Sequence, residues 1–161
     1  MAISWSTPKK NAERGRDGGA ALVYLCQTKT GAWDLGTRSP RVYVKGRGAD
    51  RGALDYDAEE GLFWSNWKEG TINSYIPSTN KQDEILTTSV RPHYLRWNWI
   101  AKNIYYTDDE GSIVSCSRDG KYCTTAIQNI AKHINSFDIS PTTGLMFWSL
   151  WELVLHRGLA S

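Results

Sequence analysis

The sequence predicts an all-β chain organised as a propeller-type repeat array, and three observations predict it. Aromatic-polar tetrads open at Phe63, Tyr105 and Phe147, one every 42 residues. A fixed period of this length marks similar supersecondary units that bury their apolar faces only against one another, as in solenoids and propellers. Four short strand-like runs fit each full period, which is the accounting of a four-stranded propeller blade. Eight Trp and eight Tyr favour strands, and no i, i+3, i+4 stripe supports a helical repeat of the same length.

The elements follow in order. Residues 1–19 are expected to be a disordered leader, being polar, without periodicity, and carrying Gly15, Gly18 and Gly19. Residues 20–155 are expected to form the partial propeller, with about three repeats, and 156–161 a tail. Ala21-Leu22-Val23-Tyr24-Leu25, Gly31-Ala32-Trp33-Asp34-Leu35 and Arg41-Val42-Tyr43-Val44 are runs of strand length separated by Gly and Pro. The repeat proper then starts. Each copy opens on an apolar stretch ending near an acid or amide: Ala53-Leu54-Asp55, Leu95-Arg96-Trp97-Asn98 and Ser136-Phe137-Asp138. A turn follows, at Glu60-Gly61, Ala101-Lys102-Asn103 or Pro141-Thr142-Thr143-Gly144. Next come the tetrad strands: Phe63-Trp64-Ser65-Asn66, Tyr105-Tyr106-Thr107-Asp108 and Phe147-Trp148-Ser149-Leu150. The first two copies continue with two more strands, Thr71 to Ile76 with Asp83 to Ser89, and Ser112 to Ser117 with Tyr122 to Gln128. The third copy stops after its tetrad strand.

Within a tetrad, alternate side chains face opposite sides. Tyr105 and Thr107 share one face, and Tyr106 and Asp108 the other. The aromatics are expected to fill the gap between packed blades. A short polar fourth residue can accept hydrogen bonds from backbone at the strand end. Leu150 cannot, so the third tetrad should be locked less well.

Composition bounds the function classes. At 161 residues the chain has room for one domain. A net charge of +2 does not point to nucleic acid. The early cations Lys9, Lys10, Arg14, Arg16, Arg38, Arg41, Lys45, Arg47 and Arg51 read as solvated surface or leader rather than as an anion site. Met1 to Thr7 runs into Pro8-Lys9-Lys10 without an apolar core, so no secretory signal is visible. No run of about 18 apolar residues occurs. No Asn-x-Ser/Thr acceptor is present.

The repeat resembles a known family. Leu54-Asp55-Tyr56-Asp57 leading to Phe63-Trp64-Ser65-Asn66 resembles the class B repeat of the low-density lipoprotein receptor, named for its Tyr-Trp-Thr-Asp tetrad. Tyr105-Tyr106-Thr107-Asp108 departs from it at one position. Phe147-Trp148-Ser149-Leu150 loses the polar last residue. Asp119-Gly120 sits where the family carries an Asp-Gly hairpin turn. Resemblance implies a six-bladed propeller of which this chain holds about half, and residues 20–45 look like the stretch that opens such a propeller. The Cys-flanked hairpin Cys116 to Cys123 resembles that of insect vitellogenin (yolk protein) receptors.

No catalytic constellation emerges. His93, His133 and His156 are scattered, without metal spacing, and no nucleophile elbow, phosphate loop or dinucleotide fingerprint occurs. No cofactor or metal is expected. The acidic run Asp55, Asp57, Glu59 and Glu60 is not spaced as an EF-hand and reads as a solvated connecting loop. Asp108, Asp109 and Glu110 read the same way. Arg91-Pro92-His93-Tyr94 lies between blades, and resemblance implies that Arg91 and His93 lie on or near the face where ligands dock. Against that stands an ordinary connecting loop. Trp67 and Trp151, each one residue beyond a tetrad, are candidate aromatic anchors, with partial core burial as the alternative.

Arg118-Asp119-Gly120-Lys121 reads as a type I′ hairpin with Asp119-Gly120 at its two-residue turn. That register sets Cys116 opposite Cys123 as a hydrogen-bonded pair about 5.5 Å apart, within disulfide reach. The alternative is two buried free thiols. Cys26 is left over, free or paired with a module outside this chain.

The resemblance thus implies a non-enzymatic, extracellular protein-recognition module of an endocytic lipoprotein- or vitellogenin-type receptor. It would assist cargo binding and acid-dependent release, with His93 as the residue type suited to the switch. Expected partners are lipoprotein or yolk-protein cargo and neighbouring receptor modules, with no nucleic acid. The expected setting is the outer side of the plasma membrane or the endosome, within a membrane-anchored parent, with this sequence read as a truncated or misassembled gene model of it. Rival readings are a Wnt co-receptor-like or nidogen-like matrix or signalling propeller, and a fragment of a propeller enzyme.

Overall fold

The computed structural model describes residues 2–5, 21–26, 29–34, 38–45, 51–130 and 134–150. Among them every regular element is a strand. Blade 1 is β1 (Ala2–Trp5), β2 (Ala21–Cys26), β3 (Lys29–Asp34) and β4 (Ser39–Lys45). Blade 2 is β5 (Arg51–Asp57), β6 (Gly61–Asn66), β7 (Thr71–Ile76) and β8 (Lys81–Thr87). Blade 3 is β9 (Pro92–Asn98), β10 (Asn103–Asp108), β11 (Ile113–Ser117) and β12 (Cys123–Ile127). A two-stranded half-blade follows, β13 (Ile134–Ser140) and β14 (Leu145–Leu150). Each full blade is an antiparallel meander in chain order. The first strands of successive blades lie side by side, β1 against β5, β5 against β9 and β9 against β13. The chain is a partial β-propeller, with the first strands innermost.

Ala2–Trp5 correct the disordered-leader expectation at its start. They form β1 and pair with β2, Ala2 opposite Leu25 and Trp5 opposite Leu22. The alternation Ala-Ile-Ser-Trp supplies a strand pattern that the polar stretch behind it masks. Residues 6–20 and the tail 156–161 lie outside the described residues.

Period-2 alternation decides how blades pack. Asp55, Phe63 and Ser74 are opposed across β5, β6 and β7, while Leu54, Trp64 and Asn73 form the neighbouring row on the other face. A blade in mid-array is covered on both faces, so β6 is buried throughout. Between blades 2 and 3 the core gathers Ala53, Phe63 and Ile72 against Leu95, Trp97, Ile104, Tyr106, Val114 and Cys116. Phe63 stacks on Trp97 with ring centroids 4.8 Å apart.

A register shift recurs near the start of β5, β9 and β13, between Arg51 and Leu54, opposite Tyr106/Asp108, and between Ile134 and Ser136. A bulge leaves backbone groups outside the ladder, and the third tetrad residue meets them. Ser65 Oγ accepts from the Ala53 N–H at 2.9 Å, and Thr107 Oγ1 from the Tyr94 N–H at 3.1 Å. Ser149 Oγ lies 2.8 Å from Ser136 Oγ. The fourth residue closes the next turn: Asn66 Oδ1 accepts from Lys68 and Glu69 N–H groups, and Asp108 Oδ1 from Glu110 and Ser112.

Cys116 and Cys123 are disulfide-bonded, with Cα atoms 4.1 Å apart. The residue pairing is the expected one, but the turn differs. Ser117 C=O accepts from Gly120 N–H at 2.9 Å, so Arg118 and Asp119 are its central residues. Of these turn residues only Gly120 has positive φ, at 71°, so the turn is not type I′. The Asp119 carboxylate explains the preference: it accepts from the Ser117 hydroxyl at 2.7 Å and from Lys121 N–H at 3.2 Å. The hydroxyl, then Lys121, holds this carboxyl down to about 2. Ser117 N–H donates to Tyr122 C=O at 2.8 Å, which makes 116/123 the closer, non-hydrogen-bonded pair. Reducing this bond is expected to cost about 2 kcal/mol on the chain-entropy account of so short a loop, read from urea unfolding with and without reductant. Recovery of separate, alkylatable Cys116 and Cys123 peptides without reduction would show that no bridge forms.

Candidate protein-recognition face

Turns of an antiparallel meander alternate between its two ends. The connector carrying Arg91, the β6–β7 turn carrying Trp67 and the β10–β11 turn carrying Asp109 therefore share one end of the array. Arg91 is exposed and its guanidinium carbon lies 5.8 Å from the centre of the half-buried Trp67 ring. Its backbone N–H donates to Asp109 Oδ1 at 3.2 Å. His93 is the second residue of β9, with its side chain exposed, while its carbonyl accepts from Ser65 Oγ at 2.9 Å. The structure thus brings together Arg91 and Trp67 from adjacent blades and sets His93 just behind them in β9. Trp151 lies outside the described residues.

The acidic run has a different job from the one expected. Asp57 is buried, and its Oδ1 accepts from Glu59 and Glu60 N–H groups at 2.9 and 3.2 Å. Glu60 Oε1 pairs with Lys102 at 3.2 Å and Oε2 with Arg118 at 3.2 Å. Arg118 also sits over the Phe63 ring, 4.9 Å from its centre. One carboxylate of blade 2 therefore holds two turns of blade 3, at the end opposite Arg91. Asp55 reaches across the same interface, taking the Tyr56 N–H on Oδ1 at 2.8 Å and the Trp97 N–H on Oδ2 at 2.7 Å. Burial pushes its carboxyl above the ordinary 3.8. The Trp97 hydrogen bond, the Arg96 charge and the Tyr56 hydrogen bond oppose that rise, and Asp138 adds to it.

Asp108 and Glu110 line a groove of about 460 Å³ on blade 3, with Tyr106, Ser112, Gln128 and Asn129. Asp108 is committed there to the turn it closes.

Over 106 residues the chain is 30% identical to the vitellogenin receptor of Solenopsis invicta, a match covering 62% of this chain. By structure it superposes on a chain of a nidogen/laminin complex with TM-score 0.71, over 81% of this chain at 14% identity. In its repeat and its fold the chain is similar to the YWTD-repeat β-propellers. The chain also superposes, with TM-score 0.60 and 16% identity over 80% of its length, on a Bacteroides thetaiotaomicron protein of unknown function. The chain spans about 6% of the receptor, 53% of the nidogen/laminin chain and 39% of the bacterial one. No family model matches it. No helix among its described residues is long and apolar enough to cross a membrane.

Proposed function

We propose that this chain is a non-enzymatic protein-recognition module from the extracellular part of an endocytic receptor of the vitellogenin or lipoprotein type. It helps bind protein cargo and release it in acid, and its neighbours are other modules of a membrane-anchored parent. The observation that carries the reading is the 30% identity to a vitellogenin receptor, over a stretch as long as two and a half repeats. The Arg91–Trp67 pair on the connector face supports it. Arginine and tryptophan are the residue types that dominate protein interfaces. A second reading, a nidogen-like matrix propeller, is favoured by the structural likeness to the nidogen/laminin complex.

Surface plasmon resonance on the receptor ectodomain containing this propeller separates the two. Purified yolk protein should bind and laminin should not; the reverse result selects the matrix reading. Arg91→Ala is expected to weaken cargo binding about tenfold, as loss of an interface arginine commonly costs more than 1 kcal/mol. Histidine changes charge between about pH 5 and 8, so His93→Ala should flatten the pH dependence of binding between roughly pH 5 and 7. An unchanged pH profile removes His93 from the site.

A further inference from the structure

Blade 3 has its full four strands, with β12 outermost. The outermost strand of blade 2, β8, carries Lys81, Asp83 and Glu84, charges of the kind that keep an edge from pairing. β12 lacks that guard. Its sequence, Cys123-Thr124-Thr125-Ala126-Ile127, has no charge, proline or glycine, and its first four residues are exposed. Ser117 N–H donates to Tyr122 C=O, and Thr124 lies opposite Ser115 in the same register. Antiparallel pairs alternate, so Cys123 and Thr125 are the residues whose N–H and C=O groups point away from β11.

The groove of about 460 Å³ runs beside this edge, from Val90 across Tyr106 and Val114 to Cys123 and Thr125. Tyr106 and Val114 belong to the core shared with blade 2, so the groove lies between two blades that each have four strands. Asp108 and Glu110 line it, and no lysine, arginine or histidine does. Glu110 is exposed, and its carboxylate makes no ion pair among the described residues. Tyr106 is only 4% exposed, yet its hydroxyl makes no hydrogen bond among the described residues. We propose that the β12 edge and this groove dock an extended peptide segment of a partner protein, paired with β12 as an added strand and carrying a lysine or arginine against Asp108 and Glu110. Backbone pairing along an open edge supplies affinity, and pockets for alternate side chains supply specificity. Cys123 and Thr125 offer the backbone groups, the two carboxylates select a cation, and the Tyr106 hydroxyl is a further polar contact. The same carboxylates disfavour a phosphate-bearing partner, because like charges brought together across an interface are costly.

Fluorescence anisotropy and hydrogen exchange on the full 161-residue chain test it. The probe is the labelled peptide Thr-Val-Thr-Lys-Thr-Val-Thr. It should bind and should protect the Cys123 and Thr125 amides, which exchange freely without it. Glutamate in place of its lysine should weaken binding by about tenfold or more, since like charges then meet in the groove. Methylating its alternate backbone nitrogens should abolish binding. Glu110→Gln, at an exposed position, should weaken binding about fivefold, the upper end for an exposed ion pair. Tyr106→Phe keeps the buried ring and should also weaken it. No binding of the lysine peptide, or equal binding of the glutamate peptide, overturns the proposal. So does an affinity indifferent to both Glu110→Gln and Tyr106→Phe. Equal affinity for Nα-acetyl-lysine amide overturns strand pairing, because that probe has no strand to add. Cys123 and Thr125 amides protected before any peptide is added overturn it as well, because the chain or a second copy then covers the edge.

Discussion

Replacing Gly120 with alanine is expected to destabilise the chain by about 2–5 kcal/mol, through two effects that add. Gly120 has φ of 71°, a left-handed conformation that costs an L-residue roughly 1–2 kcal/mol. A Cβ there would also lie 2.3 Å from the Ile85 carbonyl oxygen and 3.0 Å from Leu86 Cβ. The first neighbour is backbone of β8 and cannot rotate away, so blade 3 would have to back off blade 2, and overpacking of this kind costs about 1–3 kcal/mol. Urea unfolding of the disulfide-bonded chain measures the sum. A loss under 1 kcal/mol would mean that the hairpin tip does not touch β8. Asp119→Ala is the contrast. It removes an exposed carboxylate that organises the same turn, without adding volume, and should cost less.

The second large effect is expected at Asp55. Asp55→Ala leaves the Trp97 N–H without the acceptor it now has at 2.7 Å, and an unmet donor in such a place costs about 1–3 kcal/mol. Asp55→Asn keeps the shape but replaces one of two acceptor oxygens with a donor, so it too should destabilise. The pH dependence gives a separate reading. The folded-state value of Asp55 is raised above 3.8, so the folded chain holds this proton more tightly than the unfolded one. Stability from this group is therefore fully present below 3.8 and falls as pH rises through the folded value. The gap between the natural chain and Asp55→Asn should shrink over that window, with Arg96 and Asp138 the charges acting on the group. A gap that widens with pH would mean that the charged form is the one the fold favours.

The repeat was legible because blades repeat their chemistry in register. Glu60 and Lys102, Asp55 and Trp97, and Arg96 and Asp138 touch across blades at a separation of 42 residues each. That is the period of the tetrads themselves. The same arithmetic, applied to charges instead of aromatics, would have found the Glu60 clamp. It went unread because Glu60 looks like surface until the next blade is placed beside it.

By itself the sequence determined the strands other than β1, the grouping of the repeats into blades and the pairing of Cys116 with Cys123. These follow from period-2 alternation, turn residues and a fixed repeat, all of which act over a few residues or one period. Only the tertiary structure decided what lies between blades. It set the stacking of Phe63 on Trp97, the use of Ser65 and Thr107 to meet bulged backbone, the commitment of Asp55 to a neighbouring strand, and the meeting of Arg91 with Trp67. It also separated β6 from β14, two tetrad strands of like sequence, one wholly buried and the other largely exposed. The physical reason is that a strand's own residues fix its conformation and its two faces, whereas burial depends on whether a second sheet lies against each face.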